Sequence, residues 1–93
     1  MFSKGQWVCG VCEENKNSAE WTYPGKVLDV NTHYVIFEIQ DAKGSYEAYS
    51  PHDSLRLATK RDFDRQILDI SREMINAEEI VSSLEEAQKY VSN

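Results

Sequence analysis

Ninety-three residues, 41% hydrophobic and 28% charged, leave room for one hydrophobic core with a small appendage, and that balance is not the composition of a disordered or membrane-embedded chain. The net charge of −6 is spread evenly: residues 1–59 hold five Lys/Arg against eight Asp/Glu, and residues 60–93 hold the same numbers. No basic stripe is present to displace counterions from a phosphate backbone, which argues against nucleic acid as a partner, whereas a mildly acidic surface suits a basic peptide.

The opening "MFSKGQWVCG" has neither a basic head nor a long apolar stretch, so an intracellular location, cytoplasmic or nuclear, is expected. "QWVCGVCEE" alternates with period 2 and reads as a first strand. Trp7, Cys9 and Val11 fall on one side of it, Val8, Gly10 and Cys12 on the other, and both sides are apolar or small. Such a strand is covered on both faces, and a helix against Trp7 and Val11 would supply the outer cover. The polar "ENKNSAE" is a loop, and residues 22–30 form a second strand. "NTH" turns the chain into a third strand, "YVIFEIQ" (34–40). "DAKG" (41–44) makes a hairpin turn with Gly44 available for positive φ, and "SYEAYS" (45–50) follows as a fourth strand. "PHDS" (51–54) is a turn or one turn of 3₁₀ helix, and "LRLA" (55–58) a short fifth strand. Five short strands with tight connections within the first 58 residues predict a small closed or half-closed barrel.

After Thr59 the apolar period changes to that of a helix. Phe63, Ile67, Ile70 and Met74 share one face, with Thr59 as the N-cap and Asp62 three positions on. Asn76 is expected to cap a second helix, on which Ile80, Leu84, Ala87 and Val91 form the apolar face. The predicted architecture is mainly β plus α: a barrel over residues 1–58, then a helical pair over 59–93 that packs on the barrel or on a partner.

These pieces, taken in order, resemble a Tudor domain, one of the SH3-like barrels that bind methylated peptides. The resemblance spans about residues 4–58 and rests on "KGQWVCGVCEE", "WTYPGKVLDV", "YVIFEIQDAKGSYEAY" and "PHDSLRL". It implies a non-catalytic module that binds a peptide or protein, basic or methylated, through an aromatic surface. The positions of the family's aromatic cage fall on Cys12, Tyr23, Ile39, Ala42 and Gly44 or Ser45, so only Tyr23 is kept. A rearranged site would use Trp21 and Tyr23, with Tyr46 or Tyr49 reaching across from the fourth strand and Asp41 supplying charge. The alternative for the aromatics is the core, with Trp21 the residue least easily explained that way.

Other chemistry finds little support. Cys9 and Cys12 form a C-x-x-C, but positions i and i+3 of a strand face opposite sides, and His33 and His52 are not at paired zinc-ligand spacing. A redox C-x-x-C opens a helix, and none is expected there. His52, Asp53 and Ser54 are adjacent in sequence, a poor geometry for a catalytic triad. Neither an enzyme nor a cofactor is therefore expected. The competing reading is a small acidic inhibitor or adaptor, of the kind that mimics nucleic acid, gripping a partner or a second copy through Phe63, Ile67, Ile70, Met74, Ile80 and Leu84.

Overall fold

The computed structural model describes residues 2–10 and 23–91. Among these residues, five antiparallel strands precede two helices: β1 (Trp7–Gly10), β2 (Gly25–Val30), β3 (Tyr34–Asp41), β4 (Gly44–Pro51), β5 (Leu55–Leu57), α1 (Lys60–Glu73) and α2 (Glu78–Gln88). One turn of 3₁₀ helix, His52–Ser54, joins β4 to β5. The strands form one sheet in the order β4-β3-β2-β1-β5, a meander whose last strand returns beside the first. A five-stranded antiparallel sheet followed by two helices matches the expected order of elements; among the described residues β4 and β5 are not paired to close the expected barrel and stand as the two edges of the sheet.

The β3–β4 hairpin is regular over eight cross-strand pairs, from Tyr34 opposite Pro51 to Asp41 opposite Gly44. Gly44 takes a φ of 137°, open to glycine and costly for other residues, and the Asp41 carboxylate accepts the Lys43 N–H to close the turn. Between β2 and β3 the register shifts at Val27/Asp29, a bulge that sharpens the twist there. A Cβ on Gly25 would sit 2.5 Å from the Phe37 ring, so the absence of a side chain lets β2 and Phe37 approach.

Two apolar clusters use the two faces of the sheet. On the inner face, Val8, Val27, Val35, Phe37, Ile39 and Leu55 pack together, with Phe2, Tyr23, Val30 and Ala48 at the margins. On the outer face of β1, Cys9 joins Ala58, Phe63, Ile70, Ala77 and Leu84, and Trp7 packs beside them. The Trp7 ring meets Phe63 edge-on, with centroids 5.1 Å apart. Strand β1 is thus covered on both faces, and the helical pair is the outer cover. Val11 and Cys12 lie outside the described residues.

A buried carboxylate fixes where α1 begins. Asp62 is 3% exposed and lies at the third helical position. It takes two hydrogen bonds from the Arg56 guanidinium on β5, at 2.7 and 2.8 Å. The Thr59 N–H donates to it at 2.7 Å and the Thr59 hydroxyl at 3.0 Å. Burial alone would raise the Asp62 carboxyl, but these donors outweigh it and hold the group down at about 2. The second helix departs from expectation: Asn76 does not cap it, and α2 opens after Ala77. Ala77 is drawn into the outer cluster, which places Asn76 in the exposed turn before it.

A carboxyl held below its ordinary value in the fold stabilises the folded state above pH 4, and that contribution disappears as pH falls toward 2. Asp62→Asn should lower the unfolding free energy by about 2 kcal/mol at pH 7. In urea titrations at pH 7, 4 and 2.5, the gap between variant and wild type should narrow only between the last two. A gap constant across the three would contradict this role for Asp62.

Candidate functional site

Register decides which aromatic side chains can meet. Residues opposite one another in an antiparallel pair share a face. Ile39 lies in the inner cluster and stands opposite Tyr46, so Tyr46 belongs to the inner face with Ala48 and Ser50. Ile36 stands opposite Tyr49, which puts Tyr49 on the outer face with Glu47 and Ser45. Tyr46 and Tyr49 therefore cannot contribute to one pocket.

Tyr23 is occupied within the fold. It packs at the edge of the inner cluster, and its hydroxyl donates to the Asp69 carboxylate of α1 at 2.6 Å. Burial, followed by the bond to Asp69, pushes the Tyr23 phenol up to about 12. One helical turn away, the buried Gln66 amide donates to the Gln40 carbonyl of β3 at 2.7 Å. Helix α1 thus lies across the end of the inner face where Tyr23 and Asp41 were expected to frame a ligand. Asp41 spends its carboxylate on the hairpin turn. Of the expected grouping of Trp21 and Tyr23 with Tyr46 or Tyr49 and Asp41, the Tyr23 hydroxyl and the Asp41 carboxylate thus have partners within the fold, Tyr46 and Tyr49 lie on opposite faces, and Trp21 lies outside the described residues.

The six helical residues expected at a partner interface are also accounted for internally. Phe63, Ile70 and Leu84 are buried in the outer cluster, and Ile67, Met74 and Ile80 are half-buried against it. Their apolar faces are used on Trp7 and Cys9 of β1, which corrects the expectation that they form a docking face.

The outer face of the β3–β4 hairpin carries two exposed aromatic rings in contact. Tyr49 is 72% exposed and Tyr34 44% exposed. Their rings meet edge to face, with centroids 5.7 Å apart and planes at 88°. With Asn31, Ile36, Glu47 and Ala48 they line a shallow cavity of about 390 Å³. Glu47 stands directly opposite Glu38, a like-charge pair that is unfavourable by itself, while Lys26 stands opposite Glu38 from β2. The row Lys26–Glu38–Glu47 carries one uncompensated negative charge beside Tyr49. The nearby Asp29 is already paired with Lys4 at 3.7 Å. Tyr34, one of the aromatics near strand ends, was not among the residues expected to form the site, although its pairing with the face of Tyr49 is legible. A two-residue hairpin closed by Asp41 and Gly44 fixes the whole register, and alternation along "YVIFEIQ" places Tyr34 and Ile36 on the face of Tyr49.

A second groove, about 670 Å³, runs between β1 and the end of α2, with Trp7, Leu57 and Tyr90 along it and Lys4 and Lys26 at its mouth. Its border at Val91 adjoins residues 92–93, which lie outside the described chain. Among the described residues no cluster of three or more metal-ligating side chains is found. His52 Nε2 lies 2.8 Å from the Asn31 carbonyl oxygen, so this histidine ties the β2–β3 turn to the 3₁₀ turn. Among the described residues no helix is long and apolar enough to cross a membrane. Comparison with protein-family models, with curated proteins and with solved structures found no match.

Cys9 is buried and unpaired, and burial pushes its thiol up to about 12, with the neighbouring Asp62 charge adding to the effect. The folded protein should leave Cys9 unalkylated by iodoacetamide at pH 8, whereas unfolding in guanidinium should expose it, as read by peptide mass mapping. Rapid modification of Cys9 in the native state would contradict a structural role.

Proposed function

We propose that this protein is a non-catalytic interaction module that binds a basic peptide segment through the outer face of its β3–β4 hairpin. The observation that carries this reading is the exposed Tyr34–Tyr49 corner set beside the Glu38–Glu47 pair. A lysine or arginine side chain answers both features. Its aliphatic stem packs on Ile36 and the Tyr49 ring, and its charge sits between a π face and Glu47. Each exposed cation–π contact contributes about 0.5–1 kcal/mol, and an exposed ion pair a similar amount, so one such side chain gives selectivity with modest affinity.

The Tudor-type resemblance of residues 4–58 and the return of β5 beside β1 support a small binding domain of this kind. The position of the site differs from the family's cage. Two rings at a right angle form a corner, not an enclosure, so the ligand is recognised by charge and stem, and methylation is not required. The unpaired Cys9 thiol fits an intracellular setting.

A capped, fluorescently labelled peptide of four Lys-Val repeats should bind at low salt by anisotropy, and the matching Glu-Val peptide should not. Tyr49→Ala should weaken binding about two- to fivefold, and Glu47→Lys at least as much. Equal binding of the two peptides, or an unchanged affinity for Tyr49→Ala, would remove the basis for this reading.

A further inference from the structure

We infer that the open edge of β4 accepts an added strand from the partner: an extended segment with Lys or Arg at alternate positions and aliphatic residues between them. This deepens the basic-peptide reading and rests on it. Of the two sheet edges, β5 is three residues long, while β4 is eight. Short strands, bulges, lysines and prolines are the usual protections of an edge. In β4 the pairing to β3 is unbroken, no lysine or arginine occurs, and Pro51 stands only at the end. Among the described residues the backbone of β4 is hydrogen-bonded to β3 and to nothing else, so its other row of donors and acceptors faces outward.

The two faces of this edge specify the added strand. Tyr46 belongs to the inner, core-bearing face yet is 49% exposed, with Ala48 beside it on that face. Aliphatic residues of an added strand would cover both and extend the inner cluster. On the other face the same strand would carry its alternate residues past Glu47 and Tyr49, where cations fit. A second copy of this chain fits poorly. In the antiparallel registers that overlap two β4 strands most fully, the two Glu47 carboxylates are either directly opposite or diagonal neighbours. Main-chain pairing also supplies the affinity that a single cation on Tyr49 lacks, as in other modes of strand addition.

The test uses the full chain and the Lys-Val peptide in three forms: unmodified, N-methylated at every lysine, and N-methylated at every valine. A strand paired along one edge turns only one of these two sets of N–H groups toward β4. One methylated form should therefore lose at least tenfold in affinity and the other less than about threefold. The β4 amides should also gain protection from hydrogen exchange when the unmodified peptide is bound. If both methylated forms bind as the parent does, or both lose binding equally, strand addition is overturned while the basic-peptide reading stands. Failure of the unmodified peptide itself would overturn the reading beneath it. Self-association of the free chain that the peptide does not reverse would assign the edge to a second copy and overturn the proposal as well.

Discussion

The bond between Arg56 and Asp62 sets the direction of everything after the sheet. It joins β5 to the first turn of α1, beneath the outer face of β1, where Cys9 and Phe63 are also buried. A carboxylate 3% exposed is tolerated there only because a guanidinium and the Thr59 donors satisfy it. With the helix start held, the rest of α1 has one course. Gln66 reaches the Gln40 carbonyl and Asp69 reaches the Tyr23 hydroxyl, so the helix is tied to β3 and to the approach to β2.

The choice of the proposed surface follows from those contacts. An aromatic residue at the mouth of β2 looks like a pocket wall while the sheet is considered alone. Once α1 is in place, the Tyr23 hydroxyl has a partner, while Asp41 already holds its own hairpin turn. The apolar faces of both helices are likewise used against Trp7 and Cys9. Among the exposed aromatics, Tyr34 and Tyr49 on the outside of the hairpin are the two whose rings meet. The same hairpin ends the sheet, which sets the open backbone of β4 beside the exposed rings.

Much of the fold was legible in the sequence because it rests on local rules. Alternation around Trp7, Val8 and Cys9 announced a strand covered twice, and Thr59 with Asp62 announced the helix start. The turn at Asp41–Gly44 was equally clear. What was not legible rests on contacts distant in sequence. Asp69 is forty-six residues from Tyr23, and nothing local to "WTYPG" marks the phenol as taken. Asn76 is a strong cap by composition, yet burial of Ala77 in the outer cluster decided where α2 opens. The opposite faces of Tyr46 and Tyr49 lie between these cases. Two residues three apart on a strand must diverge, and the hairpin register names the neighbours of each.

The central claim is that the site lies on the outer face of the hairpin, the Tyr23 hydroxyl being taken by Asp69 of α1. A ¹⁵N-edited NMR titration of the intact protein with the unmodified Lys-Val peptide tests it most directly. The account requires shifts centred on Tyr34, Ile36, Glu47 and Tyr49, extending along β4, with Tyr23 and Asp69 unmoved. Shifts centred on Tyr23 and Asp41 with displacement of Asp69 would mean that α1 opens and the inner end is the site, which contradicts the account.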